Sequence, residues 1–296
     1  MSQTGGVSPP TSTGPAPQAG SPALTVGEVE DLLRSVAPPD LAESWDSNRL
    51  ICGDPAEPVR TVVLAVDPVA AVVDEAIEHG ADMVITHHPL YLRGTDHVSA
   101  TDPKGRVVHR LVRAGIALAN AHTTLDSAHG GVADALAALV GLEDTTPLVP
   151  HPSDPSQGIG RVGRLPAPTT LLQLARAVAQ ALPDSVPGLL LGGDPQATVT
   201  TIAVCGGAGD SLLGAARDRG ADVFLTADLR HHPAGEHLEA GRPYLLCGTH
   251  WATEWVGLPP LARALEAGAG ARGRTLQVHV SRTVTDPWAL RLNTGT

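Results

Sequence analysis

The sequence predicts an α/β fold of two similar halves whose sheets are mostly parallel. Short Val- and Ile-rich segments alternate with segments of helical period, which is typical of strand–helix–strand units. The pattern also recurs at an offset of 140 residues, since Thr61–Thr86 and Thr201–Thr226 share a strand, a helix, a Gly-Ala-Asp turn and a closing Thr. The 296 residues are enough for two ordinary domains of roughly 100–200 residues each.

The elements of the first half follow from their start and stop signals. An amphipathic helix is expected at Val26–Val36, because Thr25 can cap its first turn and Glu28 completes a capping box. Later helices end at Gly80 and Gly115, since glycine readily adopts the left-handed conformation that closes a helix. After the first helix, the expected order is strand Val62–Val66, helix Ala70–His79, strand Met83–Thr86, helix Arg106–Ala114, strand Ile116–Ala121 and helix Val132–Val140.

The chain divides into four predicted segments. Residues 1–23 are rich in Pro, Gly and Ser and predict a disordered tail, which lacks the features of a secretory signal. Residues 24–142 form the first half. Residues 143–157 are rich in Pro, Asp and Ser and predict a linker. The second half, residues 158–296, is expected to contain strand Thr201–Val204, a helix near Ser211–Arg217, a strand that ends at Thr226 and strand Tyr244–Cys247.

Charge and cysteine content narrow the function classes. Twenty Lys and Arg against 31 Asp and Glu give a net charge of −11, which argues against nucleic acid as a partner because nucleic-acid binding needs a basic face. Only one of these basic residues, Lys104, is a lysine. Asp67 interrupts the longest apolar run, so no membrane span is expected. The cysteines at 52, 205 and 247 form neither a disulfide pattern nor a thiolate zinc motif, which favours a reducing compartment and a cytoplasmic protein.

Three histidine motifs follow predicted strands, where the ligands of a parallel sheet gather. Imidazole and carboxylate groups suit Zn, Mn, Fe or Co. The motifs hold more ligands than one ion needs, so they predict two divalent ions per chain, about 3.5–4 Å apart and bridged by a carboxylate, in a cleft between the halves. The motifs are His87-His88, His122-x-x-x-Asp126 and His250-x-x-x-Glu254.

Other features leave alternatives open. Asp228, His231 and His232 either line the same cleft or form a solvated turn. The run Gly206-Gly207-Ala208-Gly209 either cradles a phosphate through backbone N–H groups or forms a plain tight turn, and it lacks the spacing of a dinucleotide motif. The remaining histidines are interpreted as surface residues: His79, His97, His109, His129, His151, His237 and His279.

These motifs resemble, in order, the family of GTP cyclohydrolase 1 type 2 homologues, also called Nif-three-like dinuclear metal proteins. The resemblance covers roughly residues 24–285. Two of its patterns are altered: Ser47 and Arg49 replace the Asn and Gly of Trp-Asp-Asn-x-Gly-Leu, and Ala227 replaces the Gly of Thr-Gly-Glu or Thr-Gly-Asp. The matching segments are Trp45-Asp46, Leu50 with Gly53-Asp54, the string from Gly80 to Leu90, His122–Asp126, Thr226-Ala227-Asp228 and His250–Glu254.

The resemblance implies a two-metal site and an assembly. In that family, the residues matching His87, His88, Asp126, His250 and Glu254 hold the two ions, and the one matching His122 is a ligand or a close neighbour. The family often forms a ring-shaped homohexamer built from dimers. Only about 60 residues separate Gly141 from Thr200, so this chain resembles the short form, without the full central insert.

The leading hypothesis is a dinuclear metal-dependent hydrolase acting on a small molecule such as a nucleotide or another phosphate ester. His122 is the candidate catalytic residue that positions or deprotonates water. The family name suggests ring opening of GTP, and phosphoester hydrolysis stays open beside it. A non-catalytic metal-binding adaptor or metal-handling protein is the alternative. A metal-free structural protein is the third reading.

Overall fold

The computed structural model of the protein describes residues 22–292, so the predicted tail lies, apart from Pro22 and Ala23, outside the described residues. Thirteen strands occur in this range: β1 (Leu24–Thr25), β2 (Leu50–Cys52), β3 (Pro58–Val59), β4 (Thr61–Ala65), β5 (Met83–Thr86), β6 (Ala117–Asn120), β7 (Glu143–Pro150), β8 (Gly158–Thr170), β9 (Leu190–Gly192), β10 (Thr198–Ala208), β11 (Val223–Ala227), β12 (Tyr244–Gly248) and β13 (Gln277–Val280).

Ten α-helices connect these strands within the same described range. They are α1 (Val26–Val36), α2 (Ala70–Glu78), α3 (Pro103–Ala114), α4 (Thr123–Ser127), α5 (Val132–Val140), α6 (Leu171–Ala181), α7 (Leu213–Asp218), α8 (His231–Glu239), α9 (His250–Trp255) and α10 (Leu258–Ala271). None of the helices in residues 22–292 is both long and apolar enough to cross a membrane.

The predicted helices differ from the observed ones mainly at their ends. Helix α1 and its capping box are confirmed, because Thr25 and Glu28 each bind the other's backbone N–H. Helix α3 begins three residues earlier than predicted, since the Asp102 side chain accepts hydrogen bonds from the N–H groups of Lys104 and Gly105. The helix expected near Ser211–Arg217 is a 3-10 turn followed by α7.

The first sheet has the order β13-β4-β5-β6-β2. Its first four strands run parallel, and β2 adds antiparallel to β6. Strand β13 follows helix α10, and α10 packs with α1 through Leu261 and Leu265. Part of the segment predicted as the second half therefore completes the first sheet.

The second sheet has the order β7-β8-β10-β11-β12-β9. Strands β10, β11 and β12 run parallel at its centre, and antiparallel strands flank them. The fold class is thus confirmed as mixed α/β with parallel strands at the centre of both sheets. Helix α5 packs on this second sheet through Leu136 and Ala137.

The predicted linker at residues 143–157 is wrong over its first half, where the chain forms strand β7. Its prolines suggested a loop because proline cannot donate to a sheet ladder. Strand β7 lies at the sheet edge, where proline is tolerated, and Pro147 and Pro150 pair with Arg161 and Gly158 of β8. Composition alone does not separate such an edge strand from a linker.

The two Gly-Ala-Asp turns make the same contact in the two sheets. The Asp82 carboxylate accepts hydrogen bonds from the N–H groups of Arg60 (2.7 Å) and Thr61 (2.9 Å) at the start of β4. The Asp222 carboxylate accepts from those of Thr200 (2.8 Å) and Thr201 (2.9 Å) in β10. Each aspartate thereby ties the turn to the neighbouring strand. The shared contact gives a physical reason for the repeat at an offset of 140.

Replacing Asp82 by Ala should lower the free energy of unfolding by about 1–3 kcal/mol, because two backbone donors lose a charged acceptor. Urea unfolding followed by circular dichroism measures the change. Asp31→Ala is the matched control, since Asp31 is exposed on α1 and its contact with Arg34 is long at 3.9 Å. Equal stability of the Asp82 and Asp31 variants would contradict the assignment.

Candidate metal centre

The site lies where the carboxyl ends of strands from both sheets meet. Strand β5 ends directly before His87, β6 ends two residues before His122, and β12 ends two residues before His250. Short helices α4 and α9 then carry Asp126 and Glu254. The structure brings all six predicted site residues together.

The side chains converge on the Glu254 carboxylate. His250 Nε2 lies 2.9 Å from Glu254 Oε1, and His88 Nε2 lies 3.1 Å from Glu254 Oε2. The two Nε2 atoms of His88 and His250 are 3.2 Å apart. His87 Nε2 lies 3.5 Å from both Glu254 Oε1 and Asp126 Oδ1. Two groups with ligand atoms within 4.8 Å of one another share His88: His87, His88 and His122; and His88, His250 and Glu254.

Each of the four histidines has its Nδ1 atom occupied by an acceptor. His88 Nδ1 lies 2.7 Å from Asp67 and His250 Nδ1 lies 2.6 Å from Asp228. His122 Nδ1 lies 2.7 Å from Asp46, and His87 Nδ1 lies 3.0 Å from the Ala121 carbonyl. These acceptors require Nδ1–H donors, so Nε2 is the nitrogen left to face the site. The pattern is typical of histidines that bind metals.

Of the three aspartates behind the histidines, Asp46 and Asp67 were not predicted to contact the site, and Asp228 belonged to the cluster whose place in the cleft was left open. Asp46 also accepts from the Thr123 N–H and the Asn48 amide, and Asp67 from the Thr285 hydroxyl. Asp67 and Asp228 follow β4 and β11 closely, at the edge where the motifs lie. An aspartate at that edge is the sequence signal that could have identified Asp67.

The donor set fits a cation, because two buried polar atoms lack a hydrogen-bond partner. These atoms are His87 Nε2, which has only the two 3.5 Å contacts, and Glu254 Oε2, whose 3.1 Å charge contact with His88 Nε2 lacks hydrogen-bond geometry. Their residues are 1% and 3% exposed. Buried polar groups are nearly always paired, since an unpaired one costs free energy. A cation bound between imidazole nitrogens and carboxylate oxygens would satisfy both. The His and Glu groups could therefore hold metal ions.

The glycine run makes room for this site. Gly207 has a φ of +66°, and a Cβ built there would clash with Glu254 Oε1 and lie 3.0 Å from His250 Nε2. The Gly207 N–H donates to the Thr253 hydroxyl at 3.0 Å, so this group is not free to bind a phosphate. Strand β10 ends at Ala208, so Gly206 and Gly207 belong to its last residues. Close packing against Glu254 explains the glycine better than the phosphate cradle does.

The histidines and Glu254 stabilise one another's charged forms. Burial would lower the pKa of His88, but the charge of Glu254 and the hydrogen bond to Asp67 raise it to about 11. The same balance, with Glu254 and Asp228, raises the pKa of His250 to about 9. Burial opposes ionisation of Glu254, yet the nearby imidazoles hold its pKa well below the usual value. Burial raises the pKa of Asp126.

The other polar clusters divide between the site and the surface. Asp228 contacts the site through His250, whereas His231 and His232 open α8 with exposed side chains. The surface interpretation of His237 is wrong. Its ring is buried between the Arg217 guanidinium and the Pro243 carbonyl, because α8 packs this face against the second sheet.

Comparison with known proteins gives consistent matches over most of the chain. The family model described as Duf34/NIF3 (NGG1p interacting factor 3) matches residues 24–287. A Streptomyces coelicolor protein named GTP cyclohydrolase 1 type 2 homolog is 49% identical over 265 residues, covering 89% of this chain and 93% of the relative. A Mycobacterium tuberculosis protein of the same name is 33% identical over 379 aligned positions, covering 92% and 99%. That alignment is longer than the 296 residues of this chain, as expected for the short form.

A solved structure shows the same fold. The crystal structure of a Bacillus cereus protein related to NIF3 superposes with a TM-score of 0.84 at 24% identity, covering 90% of this chain and 99% of that one.

Binding of a divalent ion should release protons. At pH 7 the metal-free site holds protons on the His88 and His250 rings, whose pKa values of about 11 and 9 lie above the solution pH. Because a metal needs the deprotonated nitrogen, roughly two protons per chain should leave on binding, and the affinity should rise between pH 7 and 9. Titration calorimetry in buffers of different ionisation enthalpy measures the release. His250→Ala should release fewer protons, and binding without release would contradict the assignment.

Gly207→Ala should weaken metal binding at least roughly tenfold, because the added methyl group displaces the Glu254 carboxylate. Gly270→Ala is the control, since a Cβ at this α10 position has nothing within 4 Å. Competition with a coloured chelator gives both affinities. Equal affinities in the two variants would show that Glu254 needs no room at this point.

Proposed function

The chain belongs to the Duf34/NIF3 family, and we propose that it is a dinuclear metal-dependent hydrolase acting on a small molecule, a nucleotide or another phosphate ester. The observation that carries the proposal is that two adjacent ligand groups together offer four histidines and Glu254, more ligand atoms than one ion needs. His88 can bind only one of the two ions, because its Nδ1 is hydrogen-bonded to Asp67. The two buried unpaired atoms, on His87 and Glu254, support the same assignment.

In this proposal five residues hold the ions: His87, His88, Asp126, His250 and Glu254. Glu254 is the candidate bridge, because one carboxylate oxygen faces His87 and His250 and the other faces His88. Zn, Mn, Fe and Co all suit imidazole and carboxylate ligands. When bound, such ions supply Lewis acids that polarise the substrate and make water acidic enough to attack near neutral pH.

His122 is proposed as the catalytic base or water-positioning residue. Its ring lies between Trp45 and the His87 and His88 rings, with centroids 5.8, 5.3 and 5.4 Å away. Asp46 accepts the Nδ1 proton, so Nε2 is free to accept a proton, and the Asp46 charge stabilises the imidazolium that results. His122 also groups with His87 and His88, which suits a ligand or close neighbour.

Two reactions fit this site. The name of the curated relatives points to ring opening of GTP, in which water adds to imidazole C8. Hydrolysis of a phosphate ester needs the same paired ions and the same base. A panel of nucleotides and phosphate esters, assayed for both kinds of product, distinguishes them.

The test is metal content, measured by elemental mass spectrometry on untagged protein, together with the hydrolysis panel. Wild type should hold about two transition-metal ions per chain, and Asp126→Ala should hold fewer and lose turnover in proportion. Asp31→Ala, an exposed carboxylate on α1, should match wild type. His122→Ala should keep its ions and lose turnover, whereas loss of an ion would make His122 a ligand.

Other outcomes would contradict the proposal. Bound metal without turnover would favour the adaptor or metal-handling alternative. Protein that stays metal-free after incubation with Zn, Mn and Fe would overturn the site itself. We also propose a cytoplasmic homo-oligomer, a ring-shaped hexamer, and a native mass measurement on the same preparations tests the hexamer.

A further inference from the structure

A cavity of about 370 Å³ lies directly beside the candidate metal centre. It opens between the start of α2, the segment after β5 and the first two turns of α3. Asp67 and His88, which are hydrogen-bonded to each other, both line it. The volume falls in the range of small-molecule sites, about 300–1,000 Å³. A ligand in this cavity would therefore contact a pair that belongs to the site.

Positive charge is concentrated in this cavity although the whole chain is acidic. Lys104, Arg106 and Arg110 of α3 line it, while the net charge of the chain is −11. Arg110 is paired with Asp74. Lys104 and Arg106 form no ion pair with any carboxylate in residues 22–292. The Arg106 guanidinium donates to the Ala100 carbonyl instead. The Lys104 ammonium lies over the Tyr91 ring, 5.9 Å from its centroid.

The neighbouring carboxylates do not neutralise these two cations. Asp67 is bound by His88 and by the Thr285 hydroxyl. Asp102 accepts the N–H groups that begin α3. Helix α2 opens into the cavity at Ala70, and its first turn has no side-chain cap, so its N–H groups add to the positive potential. Two unpaired cations and this helix end are suited to an anion.

The rest of the wall is apolar. Leu90 and Val107 line it and are buried, and Pro68 and Pro89 line it too. A ligand with an anionic group and an apolar organic part would therefore find a matching surface for each. Inorganic phosphate would satisfy only the charged part.

We propose that this cavity is the subsite that binds the phosphate group of the substrate, with Lys104 and Arg106 as its specificity residues. Calling the ligand a substrate rests on the proposed hydrolase function, whereas the binding of a phosphate group does not. The apolar wall receives the organic part of a phosphate monoester. Lys104 and Arg106 bind the ligand and take no part in holding metal.

The experiment uses Lys104 as its own reporter, because it is the only lysine in the chain. An amine-directed acylating reagent is applied to the full chain, and the Lys104 peptide is quantified by mass spectrometry. Phosphate and a nucleoside monophosphate should both slow its acylation, the monophosphate at lower concentration, and the matching nucleoside should not. Arg106→Gln should raise the Kd derived from this protection about tenfold.

Two controls test whether the protection of Lys104 arises from binding in the cavity. Arg113→Gln changes an exposed arginine of the same helix outside the cavity and should leave the Kd unchanged. Asp126→Ala should retain the protection, because the anion is held by α3 and not by an ion. Protection that is absent, or that is unchanged in Arg106→Gln, would overturn the subsite.

Turnover measurements keep this proposal distinct from the hydrolase proposal. Arg106→Gln should raise KM about tenfold with little change in kcat, because it removes binding that substrate and transition state share. Protection that depends on Arg106 without any turnover would uphold the subsite and reject the hydrolase. Turnover that is insensitive to Lys104→Gln and Arg106→Gln would uphold the hydrolase and reject the subsite.

Discussion

The site depends on one repeated contact, the hydrogen bond from a histidine Nδ1 to an acceptor behind it. Asp46, Asp67 and Asp228 make that contact to three rings, and a backbone carbonyl makes it to the fourth, His87. Each contact orients a ring and commits its other nitrogen to the interior. Without them the four rings could turn outward, and the charge of buried Glu254 would have no partner. The strands, turns and glycines around the site hold these pairs in register.

Much of the fold and site could be predicted because both depend on short-range patterns. The strands before His87, His122 and His250 are apolar runs, and parallel strands end at a common edge. What could not be predicted involves partners far apart in the chain. Asp46 reaches His122 across 76 residues, and Thr285 reaches Asp67 across 218. No local period marks such pairs.

One wrong prediction and one alternative left open by the sequence have physical reasons of the same kind. Strand β7 has the composition of a loop, and its place at a sheet edge removes the usual penalty for proline. Gly207 belongs to a glycine-rich run that resembles a phosphate-binding loop. A glycine is needed there because a larger side chain would clash with the neighbouring Glu254 oxygen. In both cases the residue type indicates only which backbone conformations are allowed. The structure that forms is determined by a contact with a residue from elsewhere in the chain.

The return of α10 and β13 to the first sheet has a consequence for biosynthesis. Strand β4 is translated early, yet its parallel neighbour β13 comes from residues 277–280, and Thr285 supports Asp67. Residues 277–280 must therefore leave the ribosome before the first sheet can be completed. Until then one edge of β4 is open to pairing with another strand, which exposes the nascent chain to aggregation. Residues 277–285 thus complete a sheet whose other strands are made much earlier.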